Sequence, residues 1–280
     1  MSGLFDIPFG AEAVVRAGPT ADVRCVDHGD LAFDYTADNE VDLILNLTTA
    51  HRVVGRVDQV HSAPVPIIGT ISIIPPHRTY RLNIKGRCRI LALRLPRAKF
   101  AGIPPDLEKT ARDLSFSPLF NIDDPALERL IFITAAAETF SEQERGLEWI
   151  AARLCVASHL ISSAANKPLR GGLPPNRLHR IERKIDSDIA GPLPLSELAD
   201  EAGMSPFHFA RTFAMTTGWS PHKFILRRRI RRAVELFAET SMSVGEIADM
   251  LGFTHHSHLA RTMRRYIGIT PDMLRNRILV

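Results

Sequence analysis

The chain has 280 residues, 45% of them hydrophobic, with 35 Lys and Arg against 31 Asp and Glu and a net charge of +4. That composition supports a folded core, and the length favours two domains. No uninterrupted apolar run is long enough to cross a bilayer, and the N-terminus lacks a basic region followed by an apolar stretch. Cys25, Cys88 and Cys155 form neither a CxxC pair nor a disulfide framework, so the expected setting is a reducing cytoplasm, without membrane attachment.

Residues 1–122 read as β-rich. Val41, Leu43, Leu45 and Leu47 alternate over one face. Residues 69–74 run into Pro75-Pro76 as a strand entering a turn does. Cys88 to Leu95 is apolar enough for a buried strand, which Pro96 ends. Several short strands with Pro and Gly punctuation predict a barrel or sandwich.

The period changes near Asp124. Asp124 is an expected N-cap with Pro125 at the first helical position, for a helix to about Phe140. Ser141 and Glu144 read as a capping box for a second helix, 142–164. Its apolar positions are Leu147, Ile150, Leu154, Ala157 or Ser158, and Ile161. The hairpin, 123–166, either packs on the β domain or forms a dimerisation surface; for the pair of helices dimerisation is the preferred expectation. Residues 167–176 carry Pro168, Gly171, Gly172, Pro174 and Pro175, too many breakers for regular structure, and read as an interdomain linker. Helix resumes near Arg177 and opens a C-terminal domain, 177–280.

Charge follows the same division. Residues 1–170 hold 19 Lys and Arg against 20 Asp and Glu, whereas residues 171–280 hold 16 against 11. A basic module joined to a neutral one suits a polyanion-binding domain beside a second function.

That basic part contains one unit twice. Glu197, Ala199, Asp200, Gly203, His208, Ala210, Arg211, Thr212, Gly218 and Pro221 recur as Glu246, Ala248, Asp249, Gly252, His258, Ala260, Arg261, Thr262, Gly268 and Pro271. The offset is 49 residues up to the glycine and 50 after it, so the second turn holds one extra residue. Each unit reads as a short helix, a glycine turn and an amphipathic helix, the outline of a helix-turn-helix whose second helix can enter the major groove of DNA. Leu195, Leu198, Ala199 and Ala202 form the inner stripe of the first short helix. Ser205 is the expected cap of the first reading helix, Phe209 and Phe213 face inward, and Phe207, His208 and Arg211 face outward. Arg211 can bond guanine and Phe207 can pack on a thymine methyl. In the second unit Thr254 is the expected cap, Leu259 and Met263 face inward, and His255, His256, Ser257 and Arg261 are the exposed reading set. Arg264 and Arg265 suit phosphate or solvent, with Arg265 counted in the DNA set.

Ser220 and Pro221 start a helix to about Ala238, on the order of 28 Å long at 1.5 Å per residue. Major grooves on one face of a duplex recur every ~34 Å, so such a rod can hold both reading helices one turn apart. Lys223, in its first turn, is counted with the DNA-contacting set. Arg227, Arg228, Arg229, Arg231 and Arg232 are the densest positive charge, spread around the axis so that only some can face phosphate at once.

Other constellations carry less chemistry. His255, His256 and His258 could suggest a metal site, but no further ligand motif is in view. His51, His61 and His77 lack an H-x-H pair followed by Glu. His77, Arg78 and Tyr80, after the Pro-Pro turn, can line a pocket for an anionic or hydroxylated effector, or face solvent. Cys25 and Cys88 could sense oxidants, with burial in strands the preferred reading. No nucleophile with a nearby base and no phosphate-cradling loop is evident, so no catalytic residue, metal or cofactor is assigned.

Residues 177–277 resemble the AraC/XylS family of bacterial transcription regulators. The resemblance rests on LSELADEAGMSPFHFARTF, the Gly218-x-x-Pro221 junction, Arg229 and Ala233, and IADMLGF…LARTMRRYIGITP. Arg228 stands where the family often has an apolar residue, Met263 replaces an aromatic, and the His255-His256 pair is unusual. The N-terminal half is similar, more weakly, to the cupin-like sensing domain of that family, through GTISIIPPHRTYRL. The resemblance implies an α+β chain: a cupin-like β-barrel with a helical hairpin, then an all-α domain with two helix-turn-helix units. It also implies a sequence-specific regulator, often an activator, acting on double-stranded promoter DNA as a homodimer in the bacterial cytoplasm and nucleoid. RNA polymerase and a small-molecule effector are the further partners implied. Two rivals are a cupin-type metalloenzyme fused to a DNA-binding domain, and a non-specific architectural DNA protein.

Overall fold

The computed structural model describes residues 14–17, 22–36, 40–48, 52–57, 60–61, 68–100, 119–164 and 172–279. The side chains of 14–17, 28, 31–35, 52–57, 60–61, 79–82, 84 and 157–164 also lie outside the description. So do His51, the linker residues 167–171, and the side chains of His61, Tyr80, Ala157, Ser158 and Ile161. The chain divides into two compact units, Met1–Ser163 with Ile267–Val280, and Ala164–Tyr266.

The first unit is built on antiparallel strands: β1 Val14–Ala17, β2 Val23–His28, β3 Leu31–Thr36, β4 Glu40–Asn46, β5 Arg52–Val57, β6 Val60–His61, β7 Ile71–Ile74, β8 Thr79–Lys85, β9 Cys88–Pro96 and β10 Leu119–Ile122. They form two sheets, β1-β2-β9-β4-β7-β10 and β3-β8-β5-β6. β4 lies between β9 and β7, with Leu43 opposite both Leu93 and Ile73. Its pattern departs from the expected one-sided burial. Val41, Leu43, Leu45 and Leu47 are buried, but so are Asp42 and Asn46 between them. The polar positions are tolerated because they have partners. Asp42 lies 3.5 Å from Arg94 Nε, and Asn46 Nδ2 donates to the Thr70 carbonyl at 3.2 Å. Asp27, at the end of β2, is buried, which alone would raise its pKa. Paired hydrogen bonds from Arg87 (2.8 and 3.0 Å) and from Arg89 outweigh burial and hold the carboxyl below its usual range. Cys25 and Cys88 are buried in β2 and β9, as the sequence suggests.

Helix α1 spans Pro125–Ala135, with Asp124 Oδ1 accepting from the N–H groups of Ala126 and Leu127, both at 3.1 Å. It ends before the expected Phe140, because that residue opens the next helix, α2, Phe140–Ala164. The capping box is also displaced. Thr139 Oγ1 accepts from the Glu142 N–H, and Glu142 Oε2 accepts from the Thr139 N–H, each at 3.3 Å. Glu144, the expected box member, instead pairs with Lys99. The helices approach closely where Gly146 faces Thr134; a Cβ at Gly146 would sit 2.2 Å from Thr134 Oγ1. Leu147, Ile150 and Leu154 are buried, while Phe140, Trp149 and Val156 are exposed. The chain's last helix, α9, begins at Pro271 and continues as a π-helical turn, Leu274–Leu279. Its Arg277 pairs with Glu138 at 2.6 Å.

The second unit is all helical: α3 Pro175–Ser187, α4 Leu195–Ala202, α5 Pro206–Thr217, α6 Pro221–Glu239, α7 Val244–Met250 and α8 His256–Tyr266. Helix α3 starts inside the expected linker, two residues ahead of Arg177, because Pro175 serves as a first helical residue rather than a breaker. Helix α4 packs on α3 and α5, and α6 packs on α5, α7 and α8. Ile181, Ile185, Leu198, Phe209, Phe213 and Ile225 close one core, with Phe213 edge-on to Phe224 at 5.2 Å. Among the described residues no helix is long and apolar enough to cross a membrane.

Candidate nucleic-acid interface

The two copies of the repeat fold alike at their turns. Gly203 (φ 64°) and Gly252 (φ 68°) both take the left-handed conformation that an L side chain resists. Behind each, the chain closes on the preceding helix through the same pair of positions. Met204 N–H donates to the Ala199 carbonyl and Gly203 N–H to that of Asp200, both at 2.9 Å. In the second copy Phe253 N–H donates to Ala248 (2.9 Å) and Gly252 N–H to Asp249 (3.2 Å). This is a Schellman closure, and it accounts for why Ala, Asp and Gly recur at a fixed offset.

The extra residue of the second copy falls after this closure. In the first, Ser205 is the N-cap of α5, accepting from the His208 N–H at 3.4 Å, and Pro206 is the first helical residue. In the second, helix α8 begins at His256, so His255 takes the position of Ser205, and its carbonyl accepts from His258 at 2.9 Å. Thr254 therefore lies one residue ahead of the cap expected of it, with its hydroxyl 3.3 Å from His258 Nδ1. The His258 ring is also edge-on to Phe253 at 5.3 Å, which fixes the start of α8 from the inside.

The inward and outward faces separate as the sequence predicts. Phe209, Phe213, Leu259 and Met263 are fully buried. Ser205, Phe207, His208 and Arg211 are exposed on α5, with Phe207 at 82%, a large ring left in water at the start of a helix. Thr254, His255, His256, Ser257 and Arg261 are exposed at and along the start of α8. Arg265 and Lys223 are exposed as well, on α8 and in the first turn of α6. Helices α5 and α8 thus each offer a cation, an imidazole and a small or flat side chain on an exposed face, groups that can hydrogen-bond base edges and phosphates.

The arginines of α6 do something else. Arg227 is buried, with its guanidinium 4.8 Å from the centre of the Trp219 ring. Arg228 reaches Glu182 (3.5 Å) and Asp186 (3.7 Å) on α3, and covers Phe224. That contact explains a cation where an apolar residue is common: its stem and plane cover the ring while two carboxylates hold its head. Arg232 pairs with Glu235. Arg229 is a clamp that its sequence position does not announce. Its Nε donates to the Ile189 carbonyl (2.8 Å), one terminal nitrogen to Gly191 (2.6 Å) and the other to Gly252 (3.1 Å). One guanidinium therefore ties the loop before α4 to the turn of the second copy. Burial lowers its pKa, and the negative charge of Asp188 opposes that effect. The densest positive run is thus largely absorbed by internal packing.

A second feature missed from sequence is the capping box of α7. Ser243 Oγ accepts from the Glu246 N–H at 3.2 Å, and Glu246 Oε2 accepts from the Ser243 N–H at 2.7 Å. The Ser-x-x-Glu spacing was its signal. Ser220 occupies the N-cap of α6 without a side-chain capping bond.

Of the residues expected at an effector pocket, His77 is exposed at the turn between β7 and β8 with φ 60°, and Arg78 is partly buried beside it. The Tyr80 backbone pairs with Tyr35 and Val57. Among the described residues no three His, Cys, Asp or Glu side chains converge as a metal site would require.

Residues 198–277 match the helix-turn-helix domain family. The regulatory protein PocR of Salmonella typhimurium is 30% identical over 117 residues, 41% of this chain and 39% of PocR. The HTH-type transcriptional regulator GbdR of Pseudomonas aeruginosa is 33% identical over 95 residues, 34% of this chain and 26% of GbdR. Both relatives are thus matched over well under two thirds of their length. The multiple antibiotic resistance protein MarA of Salmonella typhimurium is 26% identical over 98 residues, 35% of this chain and 77% of MarA. A solved transcriptional regulator with an AraC-type DNA-binding domain, from Chromobacterium violaceum, is 30% identical, covering 36% of this chain and 89% of that one, with a TM-score of 0.35. The C-terminal part of the chain is an AraC-type helix-turn-helix domain.

Proposed function

We propose that the protein is a sequence-specific DNA-binding transcription regulator that reads two successive major-groove segments with α5 and α8. The observation that carries this is the duplicated closure at Gly203 and Gly252, each followed by a helix whose first turns are exposed and chemically suited to base edges. In this reading Phe207, His208 and Arg211 contact one half-site and His255, His256, Ser257 and Arg261 the other. Ser205, Lys223, Thr254 and Arg265 approach the phosphates. The relatives' names, regulators in each case, support it.

The finer reading is an activator whose N-terminal half is a cupin-like barrel, 1–122, sensing a small effector near His77, Arg78 and Tyr80. The hairpin, 123–166, joins two copies, the segment 167–176 links the halves, and 177–280 reads promoter DNA beside RNA polymerase. The exposed Trp149 and Val156 on α2 support the dimer reading. The protein acts in the cytoplasm, on the nucleoid, without catalysis.

The test is selection of bound duplexes from a random pool, followed by anisotropy titrations. Arg211→Ala or Arg261→Ala is expected to weaken the selected site by about 1–3 kcal/mol and to relax base preference in one half only. Equal weakening on every sequence, with affinity set by salt alone, would instead mark a non-specific architectural protein. Metal copurifying with the protein and lost on mutating His51, His61 or His77 would favour the metalloenzyme rival.

A further inference from the structure

The helical unit holds a cavity of about 660 Å³ that none of the DNA contacts uses. It lies behind the first reading helix, where Ala210 forms part of its wall, and reaches Gly252 in the turn of the second copy. Leu193, Leu195, Leu198, Ile225 and Leu226 line it. The size and apolar walls suit a small organic molecule rather than an ion or a peptide.

Three polar groups open on it: Ser220, His222 and Arg229. Arg229 decides the ligand's charge. It is partly buried, and its three bonds go to neutral carbonyls of Ile189, Gly191 and Gly252. Among the described residues no carboxylate forms an ion pair with it, and Asp188 acts on it through its charge without such a contact. A guanidinium has five N–H groups, so two remain after the clamp is made. A partly buried cation with spare donors, facing an apolar chamber, is matched by an anion with an apolar body. Ser220 adds a hydroxyl that makes no capping bond.

We propose that this cavity binds a small monocarboxylic acid, its carboxylate on Arg229 and Ser220 and its hydrocarbon tail among Leu193, Leu195 and Ile225. The occupant would touch both copies of the repeat at once. The site stands on the cavity and does not depend on the DNA reading.

The test is calorimetric titration of the full chain with octanoate and phenylbutyrate, and with octanol and phenylbutanol as uncharged counterparts. The acids are expected to bind at least about tenfold more tightly than the alcohols, the difference that a hydrogen-bonded charge supplies. Leu195→Trp fills the chamber from its edge while leaving Arg229 in place. It is expected to weaken acid binding by at least about tenfold with helical content unchanged. Lys85→Gln, at an exposed position of the other unit, is expected to leave binding intact. Acids and alcohols binding alike, Leu195→Trp binding as well as the parent, or no heat with any acid would each overturn the proposal. Duplex titrations of the same samples keep the two readings apart: a chain that binds DNA but no acid sinks this inference alone.

Discussion

The two copies of the repeat share a sequence skeleton and differ in how firmly each is held. Gly203 faces open space, with no atom within 4 Å of where a Cβ would stand. Gly252, its counterpart, is pressed on Ala190, whose carbonyl oxygen would lie 2.1 Å from a Cβ, and its own carbonyl accepts from Arg229. The first copy needs its glycine for conformation alone. The second needs it for conformation and for room, because its turn is docked on the loop ahead of α4. Duplication preserved the turn chemistry, while docking made one copy's glycine far less replaceable.

The sharpest way to break this comparison is a pair of alanines. Gly203→Ala is expected to cost about 1–2 kcal/mol, the penalty of a left-handed L residue. Gly252→Ala adds a backbone clash and is expected to cost about 3 kcal/mol or more. Denaturant midpoints of the two variants check the order; equal losses would mean that the docking contact carries no energy. Next in size is the clamp. Arg229→Met should lower stability by about 2–3 kcal/mol, since three carbonyls lose a charged donor. Arg232→Met, which leaves the buried Glu235 carboxyl without its partner, should cost about 1–3 kcal/mol. Ser243→Ala, which opens the capping box of α7, should cost about 1 kcal/mol, and Ser220→Ala almost nothing.

The smallest effect is one of pH. Hydrogen bonds from Ser243 hold the Glu246 carboxyl below its ordinary value of 4.5. A depressed folded pKa means that the contribution is complete above the ordinary value and is lost as pH falls through the folded one. Stability curves of the parent and of Glu246→Gln should therefore converge on acidification. Curves that stay parallel would show that the charge of Glu246 plays no part.

Much of this was legible because it is local. Gly203 and Gly252 announce left-handed turns, Pro125 and Pro206 announce first helical positions, and Phe209 and Phe213 announce an inward face. Choices that depend on distant partners were not. Thr139…Glu142 and Ser141…Glu144 both fit a capping box, and Lys99, forty residues away or more in sequence, removes Glu144 from the contest. The arginine run looks like a phosphate surface until Trp219, Glu182 and the carbonyls of Ile189, Gly191 and Gly252 are in place around it. The alternation in β4 implies one dry face, whereas Arg94 and Thr70 allow Asp42 and Asn46 to be buried too. Among the residues expected to contact DNA, exposure was read correctly at Phe207 and Arg211, but the extra residue before α8 shifted its cap from Thr254 to His255.

The stack of Arg227 on Trp219 has a practical consequence. The chain has two tryptophans, Trp149 in one unit and Trp219 in the other. Trp149 is largely solvated, so replacing it with phenylalanine removes its emission with little disturbance of the core of its own unit. The remaining indole lies against a guanidinium at the junction of α5 and α6, and its spectrum becomes an optical gauge of the helical unit alone. Heating such a variant, with circular dichroism recorded in parallel, would reveal whether the two units melt together or in turn.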